Sequence, residues 1–334
     1  MIDITTVPTR SLTCPFPLVA LDAAAFHETP TSRLLLLLVG RDRACVASLQ
    51  DHKICLRRVV LQYHRTLTAG ACRSMNSKDG HIFALADTSS TLTVHRVPNL
   101  SSGVVPVDQE SGTVFLGNAW DKASRIDQVV SIQGSSQVDV ICTRQGETNV
   151  AWAISFEREE ARMIRVDGDL ERLFPQQEIT PGCFVGGTPH GVSLISPATG
   201  ETLIQLKLPS GNRPAEAVQS GYAGNSYYYA VVTACGTALM YDQRRSEKPF
   251  WSKPLWDSRS VNENGDAGTL MAYCCEGVWA VRAAERLHCL RCTEGSVVCR
   301  SFPLPGGLHS SQFTTAGLHF TNDVLHFVGT NNFW

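Results

Sequence analysis

Apolar residues along this chain come in short runs that alternate with compact polar turns, and helical periodicity is nearly absent. Runs of this kind, bounded by Gly, Asp, Ser and Asn, predict β-hairpins. Leu34–Val39 turns at Gly40-Arg41-Asp42-Arg43 into Ala44–Leu49, and His81–Ala86 turns at Asp87-Thr88-Ser89-Ser90 into Thr91–Val97. Val138–Thr143 turns at Gln145-Gly146-Glu147 into Asn149–Phe156, and Cys183–Gly186 turns at Thr188-Pro189-His190-Gly191 into Val192–Ser196. Tyr227–Thr233 turns at Ala234-Cys235-Gly236 into Thr237–Tyr241, and Gly277–Ala283 turns near Ala284-Glu285 into Arg286–Arg291. A seventh run, Val324–Val328, reaches a turn at Gly329-Thr330-Asn331-Asn332 and stops at Phe333-Trp334. The best helical candidate, Arg158–Arg165, is too short and too charged to carry weight.

The turns recur about every 44–50 residues, with one gap near 57, which is the spacing of a repeat architecture. Two further strands fit between successive hairpins, for example Lys53–Gln62 with Thr66–Cys72, and Ser296–Phe302 with Gln312–Phe320. A four-stranded sheet cannot bury both faces alone, whereas sheets stacked around an axis cover one another. Pro98–Ser111, Pro209–Pro214 and Asn262–Gly268 read as loops, none long enough for a domain linker, so residues 1–334 are expected to form one domain.

The repeat is similar to that of WD40 proteins. Ala238-Leu239-Met240-Tyr241-Asp242-Gln243-Arg244 resembles the end of the third strand of a WD repeat, with Tyr241 in place of the tryptophan. Thr93-Val94-His95-Arg96-Val97 occupies the same place without the Trp-Asp pair. The literal dipeptides Trp120-Asp121 and Trp256-Asp257 fall in connecting segments, and no Gly-His pair stands where the family usually has one. The resemblance implies an all-β fold, a divergent seven-bladed WD40-like β-propeller. Its last blade breaks off at Trp334, so six blades, or a ring closed by a three-stranded sheet, stay open. It also implies closure through an N-terminal strand, a role that suits the β-branched Ile2–Val7 ending at Pro8.

Composition narrows the function. The chain has 334 residues, 18% charged, with a formal net charge of −2, and gives no basic footprint for nucleic acid or an anionic membrane. Direct nucleic-acid binding and membrane insertion are therefore not expected. The longest apolar run, Leu34–Val39, is far short of the roughly 20 residues of a membrane helix, and Arg33 and Arg41 flank it. The start, Met-Ile-Asp-Ile-Thr-Thr-Val, lacks the basic and apolar stretches of a signal peptide. Twelve irregularly spaced cysteines in a chain of this size fit reduced thiols in the cytoplasm or nucleus. Cys14, Cys45, Cys55, Cys142 and Cys183 lie in or beside apolar runs, as small hydrophobes do.

Candidate chemistry is sparse. Cys289-Leu290-Arg291-Cys292, with Cys274, Cys275, His288 and Cys299 nearby, has donors for tetrahedral zinc. On a strand, however, Cys289 and Cys292 point to opposite faces, which favours buried or half-buried thiols and no metal. No cofactor is expected. Gly-x-Ser-x-Gly, Gly-x-Gly-x-x-Gly and the phosphate-loop pattern are absent. Gly186-Gly187 is assigned to tight turn geometry, and Glu159-Glu160 and Asp167–Asp169 to solvated loops. Alternation puts Tyr227 and Tyr229 on one face of a strand and Tyr228 on the other, as inter-blade packing requires. The aromatic cluster Phe250-Trp251, with Trp256, lies in a segment rich in Pro and Lys, where Trp251 and Trp256 are either structural packing or candidate binding hot spots.

No catalytic residue is assigned, and the favoured reading is a non-catalytic protein–protein interaction scaffold, a subunit or adaptor of a larger complex. Two alternatives rest on resemblance. Tyr241-Asp242-Gln243-Arg244 is similar to the Trp-Asp-x-Arg box of WD40 substrate receptors of cullin-RING ubiquitin ligases, which implies an adaptor contact for Arg244; the alternative is an Arg that merely salt-bridges within its blade. Phe83-Ala84-Leu85-Ala86-Asp87-Thr88-Ser89-Ser90, followed by Leu92 and Val94, resembles a repeat of WD40-type diphthine methylesterases, which implies ester hydrolysis. Support of an RNA-modifying enzyme is a third role known for the fold.

Overall fold

In the computed structural model, strands form where apolar runs alternate. The structure describes residues 20–28, 31–50, 53–62, 66–74, 81–97, 110–115, 126–133, 139–145, 150–157, 160–176, 183–210, 215–256, 269–283, 286–304, 313–321 and 324–331. The first sheet contains β1 (Ala20–Glu28), β2 (Thr31–Val39), β3 (Arg43–Gln50) and β4 (Lys53–Gln62). The second contains β5 (Leu67–Ser74), β6 (His81–Asp87), β7 (Thr91–Val97) and β8 (Glu110–Phe115). The third contains β9 (Ile126–Gln133), β10 (Asp139–Gln145), β11 (Val150–Glu157) and β12 (Glu160–Val166). The fourth contains β13 (Arg172–Phe174), β14 (Phe184–Thr188), β15 (Gly191–Ile195) and β16 (Thr202–Lys207). The fifth contains β17 (Ala215–Ala223), β18 (Ser226–Thr233), β19 (Thr237–Asp242) and β20 (Trp251–Pro254). The sixth contains β21 (Leu270–Cys275), β22 (Val278–Ala283), β23 (Arg286–Thr293) and β24 (Ser296–Pro303), and β25 (Phe313–Thr321) pairs with β26 (Val324–Asn331).

Each sheet is an antiparallel meander of strands consecutive in the chain. The first strands touch in succession, from β1 through β5, β9, β13, β17 and β21 to β25, and β25 touches β1. The sheets therefore close into a ring with their first strands innermost. Among the described residues six sheets have four strands and the last has two. Ile2–Val7, the expected closing strand, lies outside the described residues, as do Trp120-Asp121, Asp257 and Cys14.

The core lies between sheets. Along β18, Tyr227, Tyr229 and Val231 pack with Val185, Leu194 and Leu206 of the fourth sheet, while Tyr228, Ala230 and Val232 pack with Tyr273, Trp279 and Val281 of the sixth. The period of two thus buries both faces of one strand, as a sheet flanked on both sides requires. Comparable clusters join the second to the third sheet through Ala84, Leu92 and Ile154, and the third to the fourth through Ala153, Leu173 and Phe184. Fully burying each side chain of the Val, Leu or Phe kind contributes about 1.5–3 kcal/mol.

Four expectations need correction. Glu160, expected in a solvated loop, opens β12, whose pairing with β11 satisfies the backbone there. Glu110 and Ser111 belong to β8 and not to the preceding loop. Gly329-Thr330-Asn331 continues β26 as a strand paired with β25 instead of turning. Gly186 and Gly187 lie within β14, not at its turn: a Cβ at Gly186 would stand 2.8 Å from Leu170 Cδ2, and one at Gly187 3.0 Å from the Phe174 ring. These two glycines serve close packing.

Innermost strands have one edge facing the axis, and side chains of the neighbouring sheet bond to it. Gln176, just after β13, uses its amide as a strand would use its backbone. Its Oε1 accepts from Ser220 N at 2.9 Å, and its Nε2 donates to Val218 O at 3.0 Å. Gln219 returns the contact by donating to Pro175 O at 2.7 Å. Gln128 accepts from Leu173 N at 2.7 Å between the third and fourth sheets. These bonds occupy main-chain groups that would otherwise need water.

Candidate partner-binding site

The segment Tyr241–Arg244 forms the end of β19 and the 3-10 turn that follows it (Gln243–Arg245). Tyr241 is fully buried, and its hydroxyl donates to Lys207 O of the fourth sheet at 2.7 Å. Burial alone pushes the phenol well above the ordinary tyrosine range, so the group stays a neutral donor. Asp242 caps the turn by accepting from Arg244 N at 2.9 Å. Its two carboxylate oxygens accept from Arg244 Nε and Nη2 at 3.0 and 2.7 Å, and Nη2 also donates to Ser226 Oγ at 3.0 Å. The hydrogen bond from Arg244 holds the Asp242 carboxyl below its usual range. Arg244 is thus fixed in direction within its own sheet while its side chain stays 71% exposed.

Strand register places the other features of the fifth sheet around it. Ala223 pairs with Ser226 and Tyr228 with Asp242, so the β17–β18 turn and the β19–β20 connection share one end of the sheet. Tyr222 and Phe250 stand at this end, 44% and 37% exposed. Tyr222 sits edge-on to Tyr227 at 4.5 Å, and Phe250 lies 5.6 Å from Tyr228. Tyr222 is held from the sixth sheet as well, since Tyr273 Oη donates to its carbonyl at 2.8 Å and accepts from its N–H at 3.2 Å. Two exposed rings and a fixed guanidinium therefore rise from a rigid base.

The three residues singled out from the sequence are not brought together. Trp251 opens β20 opposite Met240, half-buried against the core between the fifth and sixth sheets. Trp256 belongs to the opposite end, where its indole covers the β18–β19 turn. A Cβ on Gly236, whose φ is +82°, would meet that ring at 2.6 Å. Tyr222 had no sequence signal beyond its place before Gly224-Asn225, and Phe250 was read only as part of the Phe250-Trp251 cluster.

The remaining candidates are structural in their surroundings. Asp87 Oδ1 accepts from Ser89 N, Ser89 Oγ and Thr91 N at 2.8, 2.6 and 3.0 Å, so it organises the β6–β7 turn beside the buried Phe83 and Leu85. Cys289 and Cys292 lie on opposite faces of β23, which runs through both without a turn. Burial pushes the Cys274 thiol up to about 12 and Cys292 up to about 11. His288 is buried, with Nδ1 2.8 Å from Ser301 Oγ, and burial lowers its pKa to about 4. Among the described residues no group of His, Cys, Asp or Glu could hold a metal, and no helix is long and apolar enough to cross a membrane.

No family model matches the chain, and no curated protein matches it in sequence. Solved structures do match in shape. The WD40 domain of Toxoplasma gondii coronin is similar with a TM-score of 0.62 and 10% identity, over 97% of this chain and 80% of that one. The Dos1 propeller is similar with a TM-score of 0.56 and 10% identity, over 90% and 73%. Chaetomium thermophilum Raptor is similar with a TM-score of 0.57 and 11% identity over 94% of this chain, which spans 28% of Raptor. At such identities the likeness speaks for architecture alone. The chain has the β-propeller fold seen in WD40 domains.

Proposed function

We propose that this propeller is a non-catalytic docking platform, a subunit or adaptor of a larger protein complex, and that the end of the fifth sheet bearing Tyr222, Arg244 and Phe250 contacts a partner. The observation that carries the reading is that combination of exposed aromatic rings and a directed Arg244 on a base whose strands are buried on both faces. Tyr and Arg are the residue types that dominate binding hot spots, and a preordered base lowers the entropy lost on association. Free thiols at the nine cysteines whose side chains are described support a reducing compartment, the cytoplasm or nucleus.

The test is capture from native extract on the immobilised protein, read by mass spectrometry under mild salt. A reproducible partner set that Tyr222→Ala with Phe250→Ala depletes is expected. Recovery of the bare chain alone would overturn the proposal. Arg244 salt-bridges Asp242 within its own sheet, as an arginine of purely structural role would, and its 71% exposure is what supports a narrower version, the substrate receptor of a cullin-RING ligase. That version requires direct binding to the ligase adaptor and its loss in Arg244→Ala.

A further inference from the structure

The outer strand of the sixth sheet differs from what a protected edge looks like. β24 is eight residues long, pairs with β23 without a register shift from Arg286↔Pro303 to Thr293↔Ser296, and has no buried residue. Its other edge bonds to no strand among the described residues. Edges are usually blunted by shortness, bulges, lysine or proline. β20 has four residues and ends at Pro254, and the pairing of β16 with β15 is broken by a register shift. β24 is neither short nor bulged and has only Arg300 and its terminal Pro303.

The face beside this edge is apolar and cationic. Val298 is 56% exposed, stands opposite Arg291, and shares its face with Arg300 two residues on. Arg291 and Arg300 are exposed, and no side-chain hydrogen bond or ion pair engages either among the described residues. The sole carboxylate of the β23–β24 hairpin, Glu294, sits in the turn. On the other face Val297 and Cys299 are half-buried against the core.

We infer that the open edge of β24 takes up an extended acidic segment of a partner protein, which adds a fifth strand to the sixth sheet. Main-chain hydrogen bonds to the edge supply affinity, and alternate side chains supply specificity. Carboxylates at every second position face Arg291 and Arg300 across Val298, while the intervening apolar side chains extend the Val297–Cys299 face. A second copy of the chain is a poor occupant, because β24 carries no carboxylate to set against these arginines. The inference rests on the docking-platform reading and deepens it by naming a partner chemistry.

The probe is a fluorescein-labelled peptide, Glu-Val repeated four times, titrated with the full chain and followed by anisotropy. Saturable binding is expected, weakened at least tenfold by R291Q/R300Q and abolished when alternate peptide nitrogens are methylated. Both substitutions are at exposed sites, and unchanged circular dichroism serves as the folding control. Equal binding of a Lys-Val peptide, unchanged binding to R291Q/R300Q, or a concentration-dependent dimer that occupies the edge would each overturn the inference. If native-extract capture succeeds equally with R291Q/R300Q, the docking platform stands and the β24 site falls.

Discussion

Gly221→Ala is the sharpest probe of how the fifth and sixth sheets interlock. Gly221 is in β17, and a Cβ built there would fall on Cδ2 and Cε2 of Tyr273. That ring is 5% exposed, its hydroxyl is bonded to both main-chain groups of Tyr222, and it stands edge-on to Trp279 at 5.2 Å. Alanine is locally permitted, since Gly221 has no positive φ, and limiting the unfolded chain favours the variant by about 0.4–1 kcal/mol. Against this, displacing the ring removes two hydrogen bonds at about 1 kcal/mol each. The aromatic pair adds about 0.5–1.5 kcal/mol to the loss. Compression without displacement costs about 1–3 kcal/mol. A net destabilisation of about 2 kcal/mol follows, measured by urea unfolding with tryptophan fluorescence as the probe. Tyr273→Ala provides the second arm of a double-mutant cycle. In that background Gly221→Ala should cost under about 0.5 kcal/mol, because the clashing ring is gone. An equal cost in both backgrounds, or none in the wild type, would refute the reasoning.

Tyr241→Phe keeps the packing but leaves Lys207 O without its donor, and should lower stability by about 1 kcal/mol in the same unfolding assay, with no change in near-ultraviolet circular dichroism. His288 has a folded pKa of about 4, below its ordinary 6.5, so the unfolded chain gains the proton first as pH falls. Stability from this group is full above pH 6.5 and is lost as pH drops toward 4; His288→Gln should flatten the plot of melting temperature against pH in that window. Asp242, held below its usual range by Arg244, is protective above the ordinary carboxyl pKa and loses that effect under more acidic conditions, a loss that Asp242→Asn should remove. Iodoacetamide at pH 8 should label the exposed Cys275 before Cys274, Cys289 and Cys292, as read by peptide mass spectrometry; faster labelling of Cys274 would contradict its burial.

Strand positions were legible because burial on alternate faces writes itself into hydrophobicity. Tyr227-Tyr228-Tyr229 shows this directly, with each ring on the side that alternation assigns. Turns were read less evenly. Asp87-Thr88-Ser89-Ser90 was plain, since Asp and Ser make local hydrogen bonds. Gly277 was placed at the start of a strand, yet with Glu276 it forms the two-residue reversal between Cys275 and Val278, at φ of +77° and +39°. The glutamine contacts were not legible at all. A Gln on a strand reads as a surface residue, and only the approach of the next sheet turns its amide inward. The exposed group at the fifth sheet was partly visible, through Arg244 and the Phe250-Trp251 cluster. Tyr222 joined it only once pairing brought two turns to one end.

A closed ring obeys a condition that an open stack does not: the angles between successive sheets must sum to one full revolution. At the joint between the fourth and fifth sheets that angle is held by the packed core and by side-chain bridges, Gln176 to Val218 and Ser220, Gln219 to Pro175 and Tyr241 to Lys207. Shortening Gln176 to asparagine would withdraw the amide of one bridge by one methylene. A sheet cannot tilt privately in such a ring. A change of angle at one joint has to be taken up at the others.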